Sequence, residues 1–120
     1  MEYRPVSRRN AEHYVWGAAC DAWHLLKSRM LSVIEERMHP GSSELRHYHR
    51  KSQQFFFILS GQAVLEVSSG HTRLSSGQGL FVPPRTRHQF RNSSGSPLRF
   101  LVISQPPSHG DRFDDPEPRK

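Results

Sequence analysis

Two histidines stand one residue apart in Leu45-Arg46-His47-Tyr48-His49-Arg50. In an extended strand residues i and i+2 face the same way, so His47 and His49 would direct both imidazoles into one space. Two neutral imidazoles on one strand are half of a transition-metal site. The pair alone is weak evidence, because the chain has eight histidines and a surface His-x-His accounts for it equally well. His88 supplies a third imidazole, in a turn of its own after Pro83 and Pro84. Among carboxylates, Glu35, Glu36 and Glu66 are nearest by strand position. Strand parity allows Glu36 an inward face, but all three read as surface residues, and the sequence names no catalytic acid or base.

Holding such a cluster requires rigid elements. From residue 31 onward, short segments rich in β-branched and aromatic residues alternate with turn residues, the spacing of an all-β sandwich or barrel. Candidate strands are Leu31 to Met38, Leu45 to His49, Gln54 to Leu59, Ala63 to Val67, His71 to Leu74, Gly79 to Val82, His88 to Asn92 and Leu98 to Ser104. Between them lie His39-Pro40-Gly41, Ser60-Gly61, Ser75-Ser76-Gly77 and Pro83-Pro84, all turn chemistry. Gly61-Gln62 and Ser69-Gly70 fall at hairpin spacing, so Gln54 to Leu74 reads as an antiparallel meander. Residues 1–30, with Trp16, Trp23 and His24, read as a cover segment of the same domain, whether as extra strands or as a turn and strand. Residues 31–104 form the barrel, and 105–120 an irregular tail with mobile last residues.

A length of 120 residues fits one domain. Lys and Arg number 17 against 11 Asp and Glu, a net charge of +6, yet the basic residues are scattered and form no basic helix, which argues against a nucleic-acid partner. One cysteine allows no intrachain disulfide, so a reducing cytoplasm is the expected location. The longest apolar run, Phe55 to Leu59, is far too short to span a membrane, and no signal-peptide segment follows Met1.

Taken together, Gly41-x5-His47-x-His49-x4-Gln54-x6-Gly61 and Gly77-x5-Pro83-x-Arg85-x2-His88-x3-Asn92 resemble the two motifs of the cupin superfamily, G-x5-H-x-H-x3,4-E-x6-G and G-x5-P-x-G-x2-H-x3-N. The resemblance covers residues 41 to 92. It implies a double-stranded β-helix, a jelly-roll barrel of two antiparallel sheets. It also implies that His47, His49 and His88 are metal ligands on the inner wall, that position 54 supplies the fourth, and that the ion is a divalent transition metal: Fe, Mn, Ni, Co or Zn. The superfamily includes both enzymes and non-catalytic binding or sensor proteins, so the fold leaves two readings open: a metal-dependent enzyme, dioxygenase-like or isomerase-like, or a ligand-binding module with or without metal.

Two positions depart from the pattern. Gln54 replaces the usual glutamate and leaves a bound ion one charge more positive, which would suit an anionic small organic ligand. The alternative is an amide that merely hydrogen-bonds an empty histidine cluster. Arg85 replaces glycine, either as a strained turn residue or as a guanidinium at the barrel mouth. Parity places Phe56 and Ile58 on the inner face with Gln54, while Phe90 follows His88 and Leu45 precedes His47. These four residues and Arg85 form the expected substrate pocket. Phe55, Phe57 and Leu59 would then lie outside as an apolar patch, for which a homodimer contact is the expected cover.

Overall fold

The computed structural model describes residues 3–17, 19–68 and 70–116. Its strands are β1 (Glu12–Trp16), β2 (Cys20–Lys27), β3 (Ser32–Met38), β4 (His47–Tyr48), β5 (Gln53–Ser60), β6 (Gln62–Val67), β7 (Gly70–Ser75), β8 (Gly79–Val82), β9 (His88–Arg91), β10 (Leu98–Gln105) and β11 (Phe113–Asp114). They form a six-stranded sheet in the order β1-β2-β3-β10-β5-β8 and a five-stranded sheet in the order β11-β4-β9-β6-β7, with every strand pairing antiparallel. The architecture is the all-β double-stranded β-helix expected from the motifs.

Strict alternation decides what each sheet buries. On β5, Gln54, Phe56 and Ile58 are buried, whereas Phe55 is 38% exposed. On β10, Leu98, Phe100, Val102 and Ser104 are buried in the same rhythm. Phe56 stacks on Phe90 at 4.9 Å between ring centroids, and Phe90 packs on Phe100 at 4.2 Å, so three strands from both sheets meet in one aromatic cluster. Met38, Ile58, Leu65, Leu74, Val82 and Leu98 fill the rest of the core. One end of the barrel is thus dry and apolar, and buried polar groups collect at the other.

Two expectations are revised, and one left open is decided. The stretch Gln54 to Leu74 is not a meander: β6 pairs with β7 and β9, while β5 pairs with β10 and β8 in the opposite sheet. The Gly61 turn therefore carries the chain from one sheet to the other. Its φ is +92°, and a Cβ there would lie 2.7 Å from the Pro97 carbonyl oxygen, so only glycine fits. Secondly, the N-terminal segment holds two strands, β1 and β2, which extend the six-stranded sheet. Thirdly, the tail is not wholly irregular, because β11 pairs with β4 at the edge of the five-stranded sheet. Residues 117–120, expected to be mobile, lie outside the described residues.

Candidate functional site

His47 and His88 are direct partners across β4 and β9, and the one-residue spacing brings His49 alongside. Ring centroids are 4.4 Å apart for His47 and His88, 4.9 Å for His47 and His49, and 5.6 Å for His49 and His88. Each residue offers a ring nitrogen within 4.8 Å of those of the other two. All three rings are oriented by the backbone: Nδ1 donates to the Leu45 carbonyl at 2.7 Å in His47, to the Asp111 carbonyl at 2.5 Å in His49, and to the Thr86 carbonyl at 2.8 Å in His88. A proton committed at Nδ1 leaves the Nε2 lone pair free in the neutral ring. Burial, reinforced by the neighbouring imidazoles and Arg112, pushes His47 down to about 3 and His88 down to about 4. Burial likewise lowers His49. The three rings are therefore neutral donors at ordinary pH.

Gln54 answers the question raised by its missing charge. Its Nε2 donates to Ser104 Oγ at 3.0 Å, across the direct β5–β10 pairing of the two residues. That bond sets which way the amide faces. Gln54 Oε1 is buried without a hydrogen-bond partner, and so are Nε2 of His49 and Nε2 of His88. Gln54 lies close enough to His49 to favour its protonation slightly, but the two do not meet in hydrogen-bonding geometry. Orphaned buried acceptors are costly, and their convergence is what a cation-binding site requires. Three imidazoles and an amide oxygen fit a divalent transition metal, with no negative charge supplied by the ligands.

His47, His49, Gln54 and Phe56 line a cavity of about 280 Å³ together with Tyr14 and Trp16 of β1, Ile34 and Glu36 of β3, Val102, Glu44, and Ser108 to Gly110 with Arg112 of the C-terminal segment. Glu36 therefore faces inward, correcting the surface reading; its neighbour Glu35 is not a surface residue either, being 7% exposed on the other face of β3, where it pairs with Arg8 at 3.2 Å and Arg99 at 3.0 Å. Burial, with Glu44 nearby, pushes Glu36 up to about 8. Burial also pushes Glu44 up to about 7, against the opposing pull of Arg112 and of the Phe90 N–H, which donates to Glu44 Oε1 at 3.1 Å. The residual exposed surface of these carboxyls faces the cavity.

The C-terminal segment is fastened to the first motif. Asp111 accepts the backbone N–H groups of Arg50, Lys51 and Ser52, each at 2.9 Å. Desolvation raises its pKa, but the three donors outweigh that and hold its carboxyl below the usual range.

Of the expected pocket residues, Phe56 lines the cavity, while Ile58 and Phe90 face inward but belong to the core beneath it. Leu45 and Arg85 do not line it. Leu45 is 57% exposed because β4 is only two residues long, so strand alternation does not carry back from His47. Arg85 is exposed with φ +65°, and its N–H donates to the His49 carbonyl at 2.6 Å: it occupies the left-handed turn that glycine would otherwise fill. Arg46 and Arg87 form ion pairs with Glu66 and Asp115, Arg50 lies over the Phe113 ring at 4.3 Å, and none of the three lines the cavity. Sequence reading missed Glu44, Ser104, Asp111 and Arg112. Only the Ser104 parity on β10 could have signalled one of them.

The chain matches the family described as Cupin domain over residues 34–104. It is 30% identical over 98 residues to an uncharacterised protein of Methanocaldococcus jannaschii, covering 67% of this chain and 78% of that one. Over 67 residues it is 31% identical to the tetracenomycin polyketide synthase protein TcmJ of Streptomyces glaucescens, covering 56% of this chain but only 45% of the relative. In structure it resembles the polyketide cyclase RemF of Streptomyces resistomycificus, with a TM-score of 0.78 at 20% identity over 95% of this chain and 85% of that one, a likeness of fold. Motif, fold and family match agree: this chain is a member of the cupin domain family.

Proposed function

We propose that the chain is a metal-binding cupin that takes a small anionic organic molecule into the cavity between its sheets and acts on it as an enzyme. The observation that carries this reading is the buried, unpartnered Gln54 carbonyl oxygen, left free by the Ser104 bond, on a side chain that lines the same cavity as His47 and His49. His47, His49, His88 and Gln54 would hold Fe, Mn, Ni, Co or Zn. The ion would supply Lewis acidity, left unquenched by the four neutral donors. Everything else falls to the chain: backbone carbonyls keep the imidazoles in the donor tautomer, Ser104 orients the amide, and Phe56, Ile34 and Val102 keep one wall apolar. The likeness to polyketide-related proteins is compatible with an oxygen-bearing organic ligand. A cupin that binds its ligand without turnover is the competing reading, favoured by the uncharged fourth donor.

Elemental analysis of untagged protein reconstituted with each of the five metals tests the proposal. One ion per chain in the wild type and loss of it in His49→Ala are expected; a wild type that retains none would sink the reading.

We further infer a homodimer. Val33, Ile103, Phe55 and Phe81 are consecutive register partners across β3, β10, β5 and β8, an apolar row on the outer face. Phe55 and Phe81 are 38% and 52% exposed, and a second copy would cover them. The single cysteine, buried and reduced, suits the cytoplasm. Among the described residues no helix is long and apolar enough to cross a membrane.

A further inference from the structure

The cavity that His47 and His49 line also carries two carboxyls for which metal binding has no use. Glu36 and Glu44 line the same space as His47, His49 and Gln54. Acidic residues alone would prove little, but Gln54 and His49, which line the same space and are 5% and 4% exposed, carry the unpartnered buried atoms Oε1 and Nε2. The same cavity lining thus combines residues with lone pairs for a cation and acid groups for whatever the cation holds.

We propose that Glu36 is the residue that exchanges a proton with the bound ligand, and that the ligand is a small enolisable α-keto acid. This rests on the metal-binding reading above. The ligand class follows from the walls. Four neutral donors leave the positive charge of the ion available to anionic oxygen, while Arg112, which also lines the cavity, is paired with Asp114 at 3.1 Å. Protonated carboxyls do not repel an anion, and the apolar side chains of Trp16, Ile34, Phe56 and Val102 can receive the carbon that bears the acidic C–H. About 280 Å³ holds a molecule of modest size.

The groups facing Glu36 come from every neighbouring element. β1 supplies Tyr14 and Trp16, and the segment before β4 supplies Glu44. His47 and His49 line the same cavity, and the C-terminal segment brings His109 and Arg112. Within the sheet its register partners are Ala22 and Phe100, both apolar. Burial dominates over this mixed set and, with Glu44, raises Glu36 to about 8, close to the working range of a general acid or base at neutral pH. The Trp16 indole opposes this weakly, lying near the carboxyl without reaching hydrogen-bond geometry.

The step balances without a co-reactant. Glu36 in its ionised form removes a proton from the carbon next to the ketone. The C–H electron pair becomes the C=C bond of an enolate, and the carbonyl π pair moves to the oxygen on the histidine side. The resulting carboxylic acid exchanges its proton with solvent and delivers a solvent-derived one to the carbon, regenerating the Glu36 carboxylate and the ketone.

The test uses zinc-loaded protein with pyruvate as the probe. Methyl-proton exchange is followed by NMR in deuterated water, pyruvate affinity by calorimetry, and the Glu36 carboxyl by carbon-13 NMR of metal-free protein labelled at glutamate, with Glu36→Gln assigning the resonance. Expected are a Glu36 carboxyl titrating well above ordinary carboxylates, pyruvate affinity within about threefold in Glu36→Gln, and exchange slowed about a hundredfold or more. Partial recovery in Glu36→Asp would support the assignment. An ordinary carboxylate titration, exchange in Glu36→Gln at the wild-type rate, or no exchange in zinc-loaded wild type would overturn it. Failure to take up zinc would overturn the underlying metal reading instead, and metal content tells that outcome apart.

Discussion

Ser104 Oγ receives the Gln54 amide N–H at 3.0 Å across the β5–β10 pair, and this one bond commits the Gln54 nitrogen and leaves its carbonyl oxygen buried without a hydrogen-bond partner. An amide oriented in this way can do the positional work of a carboxylate without its charge. Gln54→Glu should therefore raise zinc affinity tenfold or more, whereas Ser104→Ala should lower it about tenfold, the usual effect of removing a partner that orients a ligand. Competition against a chromophoric chelator measures both. Equal affinities in all three proteins would show that Gln54 does not face the ion.

Asp111 carries three backbone N–H groups, and removing their acceptor strands donors that are partly withdrawn from water. Asp111→Ala should destabilise the fold by about 2 kcal/mol, read as a lower urea midpoint.

At Arg85 the backbone sits at φ +65°, where a side chain costs roughly 1 kcal/mol or more. Arg85→Gly relieves this but gives the unfolded chain more freedom, so the net gain is about 0.5 kcal/mol, seen as a small rise in thermal midpoint. Because the side chain lies outside the cavity, zinc affinity should not change.

Phe55→Glu places a charge in the middle of the outer apolar row. Sedimentation should give a dimer for wild type and a monomer for the variant. A wild-type monomer would end the dimer proposal.

Glu36 also leaves a mark on stability. Its folded pKa, about 8, lies above the unfolded value of about 4.3. Between these values the folded chain holds a proton that the unfolded chain has released, so stability falls as pH rises through this window. The slope for one such group is at most about 1.4 kcal/mol per pH unit. Glu36→Gln removes that contribution, and its urea midpoint should be flatter than that of wild type between pH 5 and 8. Parallel curves would mean that Glu36 ionises normally.

Much of this arrangement could be read from residue order. Alternation placed Gln54, Phe56 and Ile58 inward, and motif spacing brought together three histidines from two separate strands. What could not be read depended on contacts distant in sequence. Ser104 meets Gln54 only because β10 inserts between β3 and β5. Glu36 looked like surface because it stands in the charged run Glu35-Glu36-Arg37, and the residues that close the cavity around it come from β1 and the C-terminal segment. The Leu45 error came from extending alternation through a segment that is not a strand.

The carbonyl that fixes the His49 tautomer belongs to a residue 62 positions further along the chain. Sequence separations of this size make folding slow, since a long loop must close before the contact gives anything back. They also set an order of events: a chain growing from its N-terminus can form the aromatic cluster once β10 is present, but His49 keeps an unassigned proton until the segment after β10 folds back. Apolar packing in this molecule can precede the chemistry, and the site is the last part to become itself.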